Sequence, residues 1–128
     1  MESPEAMKRI VSAFWNSMRA LRLLTLTEKA FQQELFLLVL SIPAGWFISS
    51  SWANYATLIG VVLVLMMVEV LNTGIEAACD AYSREFNKEI QLAKDCGSLA
   101  VLIAIILVLG VWGFAIADMV SGAPASIG

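Results

Sequence analysis

The chain contains an uninterrupted apolar run, Leu99-Ala-Val-Leu-Ile-Ala-Ile-Ile-Leu-Val-Leu-Gly-Val111. It lies within a nearly all-aliphatic segment, 93–117, and a helix of about 20 such residues crosses the apolar core of a bilayer. Two further apolar segments, 30–48 and 55–80, are of similar character. The first contains Pro43, which membrane helices tolerate better than soluble ones do. The sequence therefore predicts an all-α integral membrane protein with three transmembrane helices.

The composition agrees with membrane insertion. Hydrophobic residues make up 59% of the 128 and charged residues 15%, whereas a soluble domain is about half apolar and a quarter charged. We interpret the excess as lipid-facing surface and expect one domain, 1–128, that ends in a disordered tail over 121–128. The net charge is −3 and no basic run is present, so we expect no nucleic acid partner.

The basic residues set the expected orientation, because cytoplasmic loops carry an excess of lysine and arginine. All eight precede the first span or lie between the second and third spans. The pattern predicts a cytoplasmic N-terminus and second loop, and a C-terminus outside. The basic residues are Lys8, Arg9, Arg19, Arg22, Lys29, Arg84, Lys88 and Lys94.

The segment 5–27 has a different pattern from the three spans. Ile10, Phe14 and Met18 recur at helical spacing, while Arg9 and Asn16 line another face. This pattern is typical of an amphipathic helix that lies in the membrane interface. The alternative is a soluble helix packed on the rest of the protein.

Four polar residues interrupt the second span, and these are the main functional candidates. Glu69, Asn72, Glu76 and Asp80 are separated by three, four and four residues, so a helix places them on one face. A charged side chain at the centre of a span costs about 2.5–3.5 kcal/mol. We interpret the stripe as functional; the alternative is that these polar groups hold membrane helices together.

The cytoplasmic edge gathers further carboxylates, and the chain has no histidine. Carboxylates are suitable ligands for Mg²⁺, which is usually coordinated by one or two carboxylates together with phosphate oxygens. A carboxylate in a span can also accept a hydroxyl proton. These residues suit phosphoryl transfer, although membrane carboxylates also conduct protons and ions. Lys94 and Asp95 have two interpretations: a pair at the start of the third helix, or phosphate-binding residues.

Known nucleotide-binding motifs are absent, but three segments resemble the prokaryotic diacylglycerol kinase and undecaprenol kinase family. They are Glu28-Lys-Ala-Phe-Gln-Gln-Glu34, Glu69-Val-Leu-Asn-Thr-Gly-Ile-Glu-Ala77 and Ala93-Lys-Asp-Cys-Gly-Ser-Leu-Ala-Val101. The order and separation of the segments match, and the likeness covers roughly residues 9–117. The middle segment is the most specific of the three.

The resemblance implies a homotrimeric helical bundle in the bacterial cytoplasmic (inner) membrane, with active sites shared between subunits. It implies that MgATP phosphorylates a membrane lipid. Glu69 would be the catalytic base, and Glu28 and Glu76 would hold the metal ion. ATP would be bound by Arg9, Asn16, Glu28, Asn72, Glu76, Glu85, Phe86, Asn87, Lys94 and Asp95. The lipid would contact Arg9, Ala30, Phe31, Gln33, Glu34, Glu69 and Ser98.

Three positions depart from the family pattern. The second loop reads Arg84-Glu-Phe-Asn87, where the family more often has Tyr and His after the Glu, and Asn16 stands where an aromatic residue is common. The phosphate-binding and metal-binding positions match. The Lys-Asp-x-Gly-Ser and Phe-x-Gln-Glu patterns resemble the diacylglycerol branch more than the undecaprenol branch. The sequence thus favours a diacylglycerol kinase. The alternatives are an undecaprenol kinase, a proton- or ion-conducting oligomer, and a subunit needed only for assembly.

Overall fold

Four helices make up the part of the chain that the structure, a computed structural model, describes: residues 3–122. They are α1 (Pro4–Thr27), α2 (Lys29–Ile48), α3 (Trp52–Tyr82) and α4 (Lys88–Ser121). Over residues 3–122 there is no strand, and α2, α3 and α4 are each long and apolar enough to cross a membrane. The predicted all-α class with three candidate spans is confirmed. Of the predicted tail, 121–128, residues 123–128 lie outside the part of the chain that the structure describes.

Side-chain caps decide where three of the helices begin, because the first backbone N–H groups of a helix have no partner within it. Ser3 Oγ accepts from the N–H of Ala6 at 3.1 Å. Ser51 Oγ accepts from the N–H of Asn54 at 3.0 Å. Asn87 caps α4 in the same way. As a result, α3 begins three residues before the predicted segment 55–80, and α4 begins five residues before 93–117.

The described chain divides into two compact units, and the first ends at Gln33. Within it, the N–H of Glu28 donates to the carbonyl of Leu24 at 2.9 Å and ends α1. The side chain of Gln32 donates to the carbonyl of Thr25 at 3.0 Å. Leu24 is buried, whereas nearly all other side chains of α1 are exposed. The location of α1 in a membrane interface stays a prediction.

The second unit begins at Glu34 and is built on the packing of α3 against α4. The indole N–H of Trp112 donates to the carbonyl of Leu58 at 3.0 Å near one end of this pair, and Lys94 meets Asp80 near the other. The two helices are therefore antiparallel. The core between them is aliphatic and consists of Val61, Val62, Leu65, Ala104 and Val108.

Aromatic residues join α2 to α3 at the turn between them. The hydroxyl of Tyr55 donates to the carbonyl of Ile42 at 2.8 Å. Gly45 permits this approach, because a Cβ atom there would lie 3.2 Å from the Tyr55 ring. The rings of Trp46, Trp52 and Tyr55 meet edge to face, with centroids 4.9 to 6.3 Å apart. Tryptophan and tyrosine in such clusters are typical of the level of lipid headgroups.

The outer surfaces of the candidate spans are apolar. Phe36, Met67 and Leu109 are more than 60% exposed within the single chain. An exposed apolar surface of this extent marks contact with lipid or with another protein chain. The fold therefore presents a membrane-facing bundle, and the few buried polar residues inside it stand out.

Candidate active site

The polar stripe of α3 runs from buried to exposed. Glu69 and Asn72 are each 8% exposed, Asp80 is half-buried, and Glu76 is exposed. All four lie on one helix, α3, as the spacing predicts. The stripe therefore combines two polar groups that are withdrawn from solvent with two carboxylates that remain accessible to it.

Glu34 of α2 joins the buried end of this stripe. Its side chain is 9% exposed, and it is near enough to Glu69 for the two carboxylate charges to interact. Two like charges at a buried site raise the free energy of the doubly ionised state. The structure thus brings one carboxylate of α2 and one carboxylate of α3 to the same buried position.

Two buried acceptors have no hydrogen-bond partner among residues 3–122. These are Oε1 of Glu34 and Oδ1 of Asn72. Buried polar atoms are nearly always hydrogen-bonded, and leaving one unmet costs about 1–3 kcal/mol. Each of these two oxygens therefore retains the capacity to accept a hydrogen bond from a donor that residues 3–122 do not supply.

Gly97 of α4 lies directly against Asn72. A Cβ atom on Gly97 would overlap Oδ1 of Asn72, so only glycine lets α4 approach the buried amide. Sequence reasoning did not single out Gly97. The available signal was a glycine next to Ser98 within an apolar helix, where glycine usually marks a close approach.

Lys94 and Asp80 form an ion pair with a distance of 2.8 Å, and each side chain is a little more than one-third exposed. Since α4 begins at Lys88, Lys94 and Asp95 lie well inside the helix. The interpretation of these two residues as a helix-start pair is therefore wrong. The nucleotide-binding interpretation stays a prediction, and Asp95 is exposed.

The loop between α3 and α4 holds three of the predicted ATP-binding residues. Glu85 and Phe86 are exposed, and the N–H of Glu85 donates to Ser83 Oγ at 3.0 Å. The Asn87 side-chain oxygen accepts from two backbone N–H groups of α4, at 2.9 and 3.3 Å. Asn87 is thus a helix cap, a role that sequence reasoning missed although Asn is a frequent cap.

The remaining predicted site residues lie in the first unit, except for exposed Ser98 of α4. Arg9 and Asn16 are exposed on α1, and the Asn16 side-chain oxygen accepts from Arg19 at 3.1 Å. Glu28 follows α1 and is half-buried. Ala30 is half-buried, Phe31 is buried and Gln33 is exposed at the start of α2.

The described residues of one chain include no group of three or more metal-ligating side chains. Mg²⁺ bound with a nucleotide does not need such a group, because it usually takes one or two carboxylates, phosphate oxygens and waters. The exposed carboxylate of Glu76 fits this pattern, and Asp80 lies one turn further along α3. The side chains of this chain therefore suit a metal ion that arrives with phosphate.

Comparison with known proteins gives a consistent result. The profile of the family described as "Prokaryotic diacylglycerol kinase" matches residues 15–116. The chain is 36% identical over 104 residues to the diacylglycerol kinase of Escherichia coli K12, covering 81% of this chain and 85% of that protein. It is 34% identical to that of Pseudomonas aeruginosa, covering 83% and 86%. It is 30% identical to that of Haemophilus influenzae, covering 88% and 96%.

Proposed function

The chain belongs to the prokaryotic diacylglycerol kinase family, and from this premise we propose that it transfers the γ-phosphoryl group of MgATP to the hydroxyl of diacylglycerol, giving phosphatidic acid. Membership of this family makes it a kinase that acts on an alcohol acceptor. Diacylglycerol is favoured over undecaprenol because the relatives just described are named diacylglycerol kinases. The motifs around Phe31 and Lys94 favour the same branch.

The observation that carries this proposal is the buried polar cluster of Glu34, Glu69 and Asn72. It lies next to the exposed carboxylate of Glu76 on the α3 stripe. A lipid hydroxyl reaches its phosphoryl donor at the membrane boundary, so the site must contact both hydrocarbon and water. The α3 stripe suits such a position, because it runs from buried Glu69 to exposed Glu76. The unpartnered oxygens of Glu34 and Asn72 suit ligands that carry hydroxyl or amine donors.

In the proposed reaction the diacylglycerol oxygen attacks the γ-phosphorus of ATP. A new O–P bond forms, the bond between the γ-phosphorus and the β,γ-bridging oxygen breaks, and ADP leaves. Glu69 takes the hydroxyl proton, because a carboxylate placed within reach of the reacting hydroxyl can act as a general base. General-base assistance of this kind contributes about 10²–10⁴-fold to the rate.

Exposed groups bind and orient the nucleotide in this proposal. Lys94 exchanges Asp80 for phosphate oxygens, which also accept charge-assisted hydrogen bonds. Glu76 is the α3 carboxylate that holds the divalent ion. Mg²⁺, when bound, neutralises charge that develops on the phosphate oxygens. Asn72, Glu85, Phe86, Asn87 and Asp95 complete the proposed nucleotide contacts of the second unit.

The other roles rest on resemblance and stay predictions. They concern Arg9, Asn16, Glu28, Ala30, Phe31 and Gln33 of the first unit and Ser98 of the second. The proposal includes a homotrimer in the bacterial inner membrane, with a cytoplasmic N-terminus and an external C-terminus. The distribution of basic residues supports this orientation, and the exposed apolar helix surfaces support association in the membrane.

The experiment that tests the function is ATP turnover by the full-length protein in mixed micelles. ADP release is measured with a short-chain diacylglycerol, with undecaprenol and with no added lipid, each with and without Mg²⁺. We expect release that requires both diacylglycerol and Mg²⁺. Turnover with undecaprenol alone would reassign the acceptor, and no lipid-dependent turnover from a folded oligomer would refute the kinase proposal.

A further inference from the structure

At the end of the bundle opposite the α3 stripe, the second unit contains a pocket of about 230 Å³. It lies between the C-terminal ends of α2 and α4, beside the start of α3. Its wall is partly apolar, but it includes two serines, a buried asparagine and a carboxylate. The lining residues used below are Ile48, Ser50, Asn54, Ala115, Asp118 and Met119.

Asp118 is the feature that distinguishes this pocket. No other charged residue follows Asp95 in the sequence, and none lies between Glu34 and Glu69. The side chain of Asp118 is half-buried. It therefore has no basic partner at this end of the described bundle, and a carboxylate in an apolar wall favours a cation from outside the chain.

The helix ends strengthen this preference for a cation. A helix carries a partial negative charge at its C-terminus. Both α2 and α4 end at this pocket, and neither has a basic residue in its last turn. By contrast, α3 begins here, and a helix start carries partial positive charge. Ser50 and Asn54 line that side. The pocket thus offers a negative wall and a smaller positive one, a pattern that matches a zwitterion.

An apolar groove continues from the pocket along the bundle. A second cavity of about 260 Å³ is lined by Leu37, Leu40, Ser41 and Ala44 of α2, by Val62 of α3, and by Val108, Leu109 and Trp112 of α4. The α2 residues lead to Phe47 and Ile48 in steps of three or four residues, and the α4 residues lead to Ala115 and Met119 in the same way. Residues at that spacing share one helix face, so the two cavities lie along one α2–α4 groove.

The depth of the polar pocket fits a headgroup position. Ser50 also borders the exposed Trp46 and Trp52 at the α2–α3 turn. Those two rings mark the membrane–water boundary, where tryptophan concentrates. A polar cavity at headgroup depth that opens into an apolar groove at acyl-chain depth has the shape and chemistry of an amphiphile.

We propose that the α2–α4 groove binds a phospholipid with a zwitterionic ammonium headgroup. The ammonium group pairs with Asp118 and the two helix C-termini, the phosphate faces Ser50 and Asn54, and one acyl chain lies along Ala44 and Leu109. This site is at the opposite end of the spans from the proposed kinase site. It is independent of phosphoryl transfer, so its test needs no turnover.

The test is lipid binding to the full-length protein in detergent micelles, followed by native mass spectrometry. Phosphatidylethanolamine and phosphatidylglycerol of identical acyl chains are titrated separately. We expect phosphatidylethanolamine to bind about fivefold to tenfold more tightly than phosphatidylglycerol. This is the difference in affinity that one charge-assisted hydrogen bond contributes. Asp118→Asn should reduce this preference to less than about twofold, and Asp118→Glu should retain it.

Two further variants separate headgroup recognition from groove occupancy. Glu89→Gln makes the same charge change at an exposed position of α4 outside the pocket, and it should leave lipid preference unchanged. Ala44→Leu fills the apolar groove and should weaken both lipids alike. Thermal unfolding in the same micelles verifies that each variant is folded.

Three results would overturn the proposal. They are equal binding of the two lipids to the wild-type protein, a preserved preference in folded Asp118→Asn, and an equal loss in Glu89→Gln. If Ala44→Leu changed the oligomer mass without changing lipid binding, the groove would be a contact between copies of this chain, and the lipid assignment would be wrong.

Discussion

Individual polar residues define this molecule because its spans contain so few of them. Glu69 and Asn72 are withdrawn from solvent on α3, and Glu34 joins them from α2. A buried polar atom without a partner costs free energy in an apolar bundle, and Glu34 and Asn72 each have one such oxygen among residues 3–122. Their shared location is consistent with a site that is completed by substrate. Isosteric replacement of one residue at a time can distinguish the role of each residue from the roles of the others.

Replacing Glu69 by Gln removes the proposed base and keeps the side-chain shape. We expect lipid-dependent turnover to fall by about 10²-fold or more, the usual contribution of a general base. The thermal unfolding midpoint should change little, because the packing is retained. Glu89→Gln is the matched control, since Glu89 is exposed on α4. Near-normal turnover in Glu69→Gln would remove Glu69 from the mechanism.

Replacing Glu76 by Gln should act on the metal requirement. The Mg²⁺ concentration for half-maximal turnover should rise by about tenfold, equivalent to about 1.4 kcal/mol of lost ion binding. At saturating Mg²⁺ the rate should largely recover, which a base or a purely structural residue would not permit. A magnesium titration that superimposes on that of the wild-type protein would contradict the metal role of Glu76.

The stripe on α3 was predictable from sequence because a spacing of three and four fixes one helical face. Its partners on other helices were not. The pairing of Lys94 with Asp80, and the contact of Gly97 with Asn72, depend on how far α4 is shifted along α3. No local pattern encodes that shift. The family resemblance implies that Lys94 and Asn72 contact the nucleotide. It does not imply that Lys94 pairs with Asp80 or that Asn72 packs against Gly97.

At the scale of elements, the sequence was least informative about where each helix begins and about where two helices approach each other closely. Hydropathy located the apolar centre of each span, but polar residues such as Asn87 extend α4 beyond it. The α3–α4 contact depends in turn on a glycine. Because protein interiors are close-packed, a single added methyl group at Gly97 must displace Asn72 or separate the two helices.

The glycine contact yields a prediction about stability. Gly97→Ala should lower the free energy of unfolding by about 1–3 kcal/mol, the usual cost of overpacking. Gly110→Ala is the matched control on the same helix, because its Cβ would have no atom within 4 Å. That control should be neutral or slightly stabilising, since alanine favours helix by about 0.5–1 kcal/mol over glycine. Unfolding in detergent measures both.

If Gly97→Ala were as stable as Gly110→Ala, the close approach of α4 to Asn72 would not exist in the protein. If Gly97→Ala were destabilised and also lost turnover while Gly110→Ala kept both, the contact would link the packing of α3 and α4 to the geometry of the proposed site.

At the scale of the whole molecule, the three-span architecture could be predicted because membrane insertion depends on the length and polarity of each segment. Both ends of the bundle carry polar features, yet sequence reasoning found only one. The stripe around Glu69 is concentrated within one segment. The pocket around Asp118 is assembled from three helix ends, so no single stretch of sequence shows it.

Phosphoryl transfer from ATP to a lipid can be followed through the γ-phosphoryl group itself. The full-length protein in mixed micelles is given ATP labelled at the γ-phosphorus, Mg²⁺ and diacylglycerol, and the label is then separated between the lipid and aqueous phases. We expect labelled phosphatidic acid in an amount equal to the ADP formed. Label found only as free phosphate, or remaining in ATP, would contradict it.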